Sequence, residues 1–249
     1  MDYEEALEKA AQALLQASHA VVFTGAGMSV ESGVPQFRGN DGLWSRYDPI
    51  VFDIEYFRTH PKASWEAILD IFWKTFTDVE PNAGHRALAG LEQRGIIKEL
   101  ITQNIDNLHH HAGSRQVWEY HGNSRNLTCL SCGARYPSDR ALEPEIPPRC
   151  DCGGLLKPDF IFFGEQIPEE AARESDRAAR QCDLMLVVGT TGEVYPAGFI
   201  PHIAAEGGAE IVEVNPEPSN YTGDITDIFI AETSATALPA LAKRLSNTA

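Results

Sequence analysis

A chain of 249 residues with 43% hydrophobic and 22% charged residues can bury a large core, and it lacks the composition of a collagenous, mucin-like or disordered protein. A formal net charge of −16 argues against a direct nucleic-acid partner, because phosphate contacts need clustered Lys and Arg. The same charge either draws basic peptides by long-range attraction or simply keeps an abundant protein in solution.

Residues Met1 to Glu5 lack the basic and apolar regions of a secretory signal, and no apolar stretch approaches the roughly 18 to 20 residues that span a bilayer. Five cysteines, four of them closely spaced, read as metal ligands in a reducing compartment rather than as a disulfide framework. A cytoplasmic location without a membrane partner is therefore expected.

Ala6, Leu7, Ala10, Ala13, Leu14 and Leu15 recur at helical spacing and predict an amphipathic helix over residues 3–17. It should pack on the sheet that Ala20 to Phe23 begins. This apolar run passes through Thr24 into Gly25-Ala26-Gly27, as a buried parallel strand does when it hands over to a turn that cradles phosphate. Without a Cβ the backbone can approach a pyrophosphate and present the N–H groups that open the next helix. A full dinucleotide fingerprint would place a third Gly where this chain has Val30, so Gly25-x-Gly27 alone is also an ordinary strand-to-helix turn. The continuation adds weight: Ser32-Gly33-Val34-Pro35 breaks any helix, and Phe37-Arg38-Gly39 brings an aromatic face and a guanidinium to the same turn.

Residues 41–49 read as loop. Pro61 to Phe76 reads as a helix whose Trp65, Ile68, Leu69, Phe72, Trp73 and Phe76 form core or the wall of an apolar groove. Pro81 ends it, and residues 82–93 form another helix. A strand over 96–101 then delivers Thr102, Gln103, Asn104, Ile105 and Asp106 to its carboxyl end, where open α/β sheets place ligands. His109, His110 and His111 would point about 100° apart on a helix, cannot converge on one ion, and read as mostly solvated. His121-Gly122 follows the short strand Val117 to Tyr120, a placement that favours an acid–base role over a structural one.

Cys129-x-x-Cys132 and Cys150-x-Cys152 supply four thiolates in two hooks, which suits one tetrahedral zinc with no position open to water and hence a structural ion. The second hook is one residue shorter than C-x-x-C and strains its turn. Cys182 stands apart as a buried free thiol. Residues 155–165 return as an apolar strand and loop, 168–181 form a helix, and the strand 183–188 runs into Gly189-Thr190-Thr191-Gly192. A helix over 195–205, a strand over 210–214 ending at Asn215-Pro216, a strand at 228–230 and a helix over 236–245 complete the chain. Strands alternating with helices, each ending in small or polar residues, predict an α/β fold with a doubly wound, Rossmann-like parallel sheet and the site along one edge.

The run Gly25-Ala26-Gly27-x-Ser29-x-x-Ser32-Gly33-Val34-Pro35-x-Phe37-Arg38 resembles, residue for residue, the opening pattern of the sirtuins, the NAD-dependent protein-lysine deacylases. Thr102 to Asp106, His121-Gly122, the four cysteines, Phe162-Phe163-Gly164-Glu165, Gly189-Thr190-Thr191 and Val214-Asn215 fall in that family's order. The resemblance implies one catalytic domain over 1–249: a Rossmann-like part at approximately 1–38, 86–121 and 158–249, a helical insertion at 39–85 and a smaller zinc-ribbon insertion at 122–157.

It further implies removal of acetyl or longer apolar acyl groups from lysines of proteins or peptides, with NAD as co-substrate. The acyl oxygen attacks the ribose carbon that carries nicotinamide, and the products are nicotinamide, deacylated lysine and O-acyl-ADP-ribose. His121 becomes the general base and Asn104 its catalytic partner. Gly25, Ala26, Phe37, Arg38, Gln103, Asn104, Ile105, Asp106, Gly189, Thr190, Thr191, Asn215 and Ser234 fall at the NAD site, with Phe37 capping the sugar against water. Phe163, Gly164, Glu165, Glu193 and Val194 would take the peptide as an added strand. Gly192 and Glu193 replace residues that are usually apolar or small, and Glu193 either favours basic substrates or faces water. Ile68 and Ile71 stand where desuccinylases carry Tyr-x-x-Arg; an apolar wall would leave a buried carboxylate unpaired, which disfavours succinyl. The rival readings are a mono-ADP-ribosyltransferase or NAD glycohydrolase built on the same pocket, and a non-catalytic NAD-binding module.

Overall fold

The computed structural model describes residues 1–36, 42–73, 79–142 and 145–246. Phe37, Arg38 and residues 74–76 of the expected helix lie outside the described residues. The strands in chain order are β1 (Ala20–Thr24), β2 (Ile97–Thr102), β3 (Val117–Glu119), β4 (Asn126–Cys129), β5 (Arg135–Pro137), β6 (Leu156–Pro158), β7 (Leu184–Val188), β8 (Glu210–Asn215) and β9 (Ile228–Ala231). Six of them form one sheet in the order β3-β2-β1-β7-β8-β9, every pair parallel. The chain order reverses between β1 and β7, the switch point at which such sheets open a crevice at their carboxyl ends.

Val21, Val22, Phe23 and the whole of β7 are buried because both faces of the sheet are covered, which is why these strands read as unbroken apolar runs. The period of two sends Val22, Leu184, Leu186 and Val188 to one core. There they meet α1 (Tyr3–Gln16) through Leu7 and Leu14, while Val21, Phe23, Met185 and Val187 face the opposite core. The Asp2 side chain caps α1 by accepting from the Glu5 N–H at 2.8 Å.

A third core joins segments between residues 43 and 72 to segments between 127 and 162. The short helices α2 (Ile54–Thr59) and α3 (Pro61–Ile68) set Phe57, Trp65 and Ile68 against Leu127, Leu156, Phe160 and Phe162. The Trp65 indole N–H donates to the Leu156 carbonyl at 3.0 Å, so the aromatic stripe ties the helical segment to the cysteine-bearing sheet β5-β4-β6. The helix expected through Phe76 leaves α geometry at Leu69, where a π-helical turn runs to Trp73.

Beyond it come α4 (Ala83–Gln93), α5 (Leu108–Ala112), α6 (Glu169–Gln181), α7 (Ile200–Glu206) and α8 (Ser234–Ser246). The helix expected over 195–205 is instead a 3-10 turn at Ala197–Phe199 followed by α7, whose first turn holds Pro201, a residue that cannot donate within a helix. No helix among the described residues is long and apolar enough to cross a membrane.

The tips of β1 and β7 touch backbone to backbone. Gly189 has φ +63°, and a Cβ there would fall 2.3 Å from the Met28 nitrogen. The substitution Gly189→Ala is therefore expected to lower stability by about 1–3 kcal/mol, read as a reduced urea midpoint at unchanged slope.

Candidate active site

Strand tips line a cavity of about 710 Å³. β1 contributes Gly25, Ala26 and Gly27, β2 contributes Gln103, Asn104 and Ile105, and the turn after β3 contributes His121. β7 adds Gly189, Thr190 and Thr191, β8 adds Asn215, and the start of α8 adds Ser234. Phe163, Gly164, Glu165, Glu193 and Val194 line it as well, so the expected residues that are described meet in one place, with the exception of Asp106. Phe52, Phe72, Phe160 and Phe162 from the third core form an apolar wall; Phe72 belongs to the stripe expected to be core or a groove wall, whereas Phe52 and Phe160 had no expected place in the site.

Asp106 lies behind the cavity. Its carboxylate accepts from the Ser29 hydroxyl at 2.6 Å and from the Leu108 N–H at 2.9 Å, while burial pushes its pKa up. The Asn82 N–H donates to His85 Nδ1 at 3.3 Å, so the His85 proton sits on Nε2, which is 3.4 Å from Ser29 Oγ. The Ser29 hydroxyl donates to Asp106 and accepts from His85 and from the Asn104 amide, at 3.2 Å for the latter. The same amide nitrogen donates to the Gly25 carbonyl at 3.1 Å. With its N–H groups so engaged, Asn104 presents Oδ1, an acceptor, toward the cavity.

Asn215 is fixed in the same way. Its Nδ2 donates to the Thr190 carbonyl at 3.0 Å and to Glu213 at 2.9 Å. Glu213 is fully buried and also accepts from the Thr222 and Thr226 hydroxyls at 2.8 and 2.7 Å. The sequence reading missed Glu213; the available signal was a lone carboxylate inside the apolar strand Ile211-Val212-Glu213-Val214.

His121 is half-buried. Its Nδ1 lies 3.2 Å from the Gln103 carbonyl oxygen, which can only accept, so Nδ1 carries the proton and Nε2 keeps its lone pair. Burial pulls the His121 pKa below the ordinary 6.5, only partly offset by that hydrogen bond, and the ring is neutral at pH 7.

The three consecutive histidines are not mostly solvated. His109 is buried, its Nε2 3.0 Å from Thr24 Oγ1, while His110 is half-buried and His111 exposed. The 100° step predicted their divergence correctly, but α5 packs its first turn under the tips of β1 and β2, which buries one ring of the three. The His109 ring lies tilted 59° to that of His85, centroids 4.9 Å apart, and burial holds both uncharged, His85 at about 4.

The four ribbon cysteines converge. Cys129 and Cys152 sulfurs are 3.7 Å apart, Cys132 and Cys150 3.6 Å, and all four ligand atoms lie within 4.8 Å of one another. A tetrahedral zinc with Zn–S bonds of about 2.3 Å places its sulfurs about 3.8 Å apart, so the cluster fits that ion. The shortened second hook is accommodated by Gly154, where a Cβ would fall 2.6 Å from Cys129 Sγ. Cys182 is a buried thiol outside the cluster, its pKa pushed up to about 12 by burial. Purified protein is expected to carry one zinc per chain by elemental analysis; Cys129→Ser should lose it and lower the thermal midpoint, since metal affinity adds directly to folding stability.

A crossed-over parallel sheet with a glycine turn, an uncharged imidazole and two oriented amides at its carboxyl edge defines a nucleotide-using enzyme. The sequence profile of the Sir2 family matches residues 25–196, and the chain belongs to that family. It is 46% identical over 239 residues to the NAD-dependent protein deacylase 2 of Pyrobaculum aerophilum, covering 94% of each chain. A solved structure described under "Structural Basis for the Mechanism and Regulation of Sir2 Enzymes" aligns at TM-score 0.91 and 42% identity over 99% of this chain and 100% of that one. Another, a Sir2 enzyme with a deacetylated peptide and 3'-O-acetyl-ADP-ribose, aligns at TM-score 0.91 and 33% identity over 96% and 98%.

Proposed function

We propose that this chain is an NAD-dependent protein-lysine deacylase. With NAD and one water consumed, it removes acetyl or longer apolar acyl groups and yields nicotinamide, deacylated lysine and O-acyl-ADP-ribose. The observation that carries the reading is the pairing of an uncharged His121, its Nε2 open, with the outward-facing Asn104 acceptor in one cavity beside the Gly25-Ala26-Gly27 turn.

NAD, when bound, supplies an electrophilic ribose carbon and a neutral leaving group. Gly25, Ala26, Gly189, Thr190, Thr191, Asn215 and Ser234 hold it, joined by Gln103, Ile105, Phe37 and Arg38. Asn104 Oδ1 orients a hydroxyl, and His121 Nε2 takes a proton from a ribose hydroxyl so that it can attack the acyl carbon. Asp106 acts through Ser29 to hold Asn104. The apolar wall of Phe52, Phe72, Phe160 and Phe162 receives the acyl group and helps exclude water. Cys129, Cys132, Cys150 and Cys152 hold a structural zinc that takes no part in the chemistry. Substrates are acyl-lysine proteins or peptides of the cytoplasm, and the chain is one catalytic domain with the helical and ribbon insertions at 39–85 and 122–157.

The deciding experiment is mass spectrometry of products after incubation with NAD and a panel of acyl-lysine peptides. Acyl-ADP-ribose should form from acetyl and longer apolar acyl peptides and be absent with His121→Ala, whereas ADP-ribosylated protein or free ADP-ribose alone would overturn the reading. No Lys or Arg is among the described residues that line the cavity, so succinyl peptide should turn over at least about tenfold more slowly than acetyl peptide.

The pH dependence follows from the His121 environment. A base must be uncharged, and burial lowers this imidazole's pKa, so activity should persist to lower pH than a free imidazole permits. The acid limb of kcat/KM is expected to have unit slope and a midpoint below 6.5.

A further inference from the structure

Lys157 is the only lysine or arginine buried among the described residues. It lies on β6, paired across the ladder with Thr128, next to the Leu156 and Cys129 pair. Its ammonium has three donors, and the structure supplies three acceptors. These are the Pro158 carbonyl at 2.7 Å, the Phe160 carbonyl at 2.8 Å and a Glu165 carboxylate oxygen at 3.0 Å. The charge also sits 4.4 Å from the centre of the Phe162 ring. The same Glu165 oxygen accepts from the Phe162 N–H at 2.7 Å.

One buried cation thus gathers the chain from Pro158 to Glu165 into a closed turn. The Glu165 carboxylate is directed inward, toward Lys157, rather than offered to a substrate. The other side of the loop is held by backbone: the Phe163 N–H donates to the Phe52 carbonyl at 2.8 Å, and the Ile54 N–H donates to the Phe163 carbonyl at 3.0 Å. Burying an ion pair is a poor way to gain stability, because desolvation offsets most of the attraction and a well-packed apolar pair does as well. What this pair contributes is geometry, and the segment it shapes lines the cavity from Phe160 to Glu165.

We propose that Lys157 is the positioning residue of the peptide-binding loop, holding Phe162, Phe163 and Gly164 through Glu165, so that it sets affinity for the acyl-lysine peptide and leaves NAD binding untouched. The proposal rests on the deacylase reading above. Glu165 serves the peptide through the shape of this loop rather than by contact of its charge.

The test is steady-state kinetics of the full chain with acetyl peptide and NAD varied separately, for Lys157→Met, Lys157→Arg, Glu165→Gln and the Lys157→Met/Glu165→Gln double variant. Lys157→Met is expected to raise the peptide KM about tenfold or more, with the NAD KM and kcat within about twofold of wild type. Lys157→Arg should recover part of the loss, and the double variant should be no worse than Lys157→Met alone, as for two groups acting as one unit. Equal rises in both KM values, a fall in kcat at unchanged peptide KM, or additive losses in the double variant would overturn it. Should Lys157→Met lack a cooperative unfolding transition, Glu165→Gln carries the same KM comparison. Wild-type protein that forms no acyl-ADP-ribose would defeat the deacylase reading instead, whereas active wild type with an unaffected Lys157→Met defeats this inference alone.

Discussion

Two backbones meet with no side chain between them where β1 and β7 end. The Gly25 N–H donates to the Val188 carbonyl at 3.0 Å and the Gly27 N–H to the Gly189 carbonyl at 2.8 Å, so the ladder continues past both strands into their turns. The neighbours do likewise: Gln103 N–H to Thr24, Gly189 N–H to Val214 and Tyr120 N–H to Thr102, at 3.0, 3.1 and 2.9 Å. The tips are thereby drawn into one continuous rim, and Gln103, Asn104, His121, Thr190 and Asn215 hang from it. A Cβ on Gly27 would fall 2.7 Å from the Gly189 Cα, so the rim closes only because glycine faces glycine.

Behind that rim the polar groups are organised by exhaustion of their partners. A hydroxyl has one proton and two lone pairs, and Ser29 uses them on Asp106, Asn104 and His85. In a low-dielectric interior an unpaired polar group costs more than a hydrogen bond returns, so such a set has one favoured arrangement. Asn104 and Asn215 consequently cannot flip without placing donors against donors or acceptors against acceptors. The uncharged state of His85, His109 and His121 has the same origin, burial that penalises charge.

The third core supplies the aromatic wall of the site. It is shared between the helical segment and the cysteine ribbon, with Trp65 bonded to Leu156 across the two. A metal at the cysteines would hold β4 at Cys129, and β4 pairs with β6, which carries Lys157, whose ammonium shapes the loop at the cavity lip. Cysteine cluster, buried cation and cavity-lining loop are thus joined through β4 and β6, although neither of the first two lines the cavity.

Much of this was legible in local spacing. Gly25-x-Gly27 after an apolar run, His121 before a glycine and the two cysteine hooks each encode a turn whose chemistry depends only on near neighbours. Spacing was also enough to say that three consecutive histidines diverge. It could not say that α5 would press His109 beneath the sheet, that Asp106 would face Ser29 rather than the cavity, that Glu213 would hold Asn215, or that Glu165 would turn inward to Lys157. The first two join residues 85 and 77 positions apart, and the last two, though only 2 and 8 apart, rest on burial and hydrogen-bond supply, which are properties of the packed whole. The linear chain determined which chemical groups reach the strand ends, because side-chain periodicity and turn geometry are local; only the fold decided which of those groups face the ligand, because that is settled by what remains unsatisfied once the interior has closed.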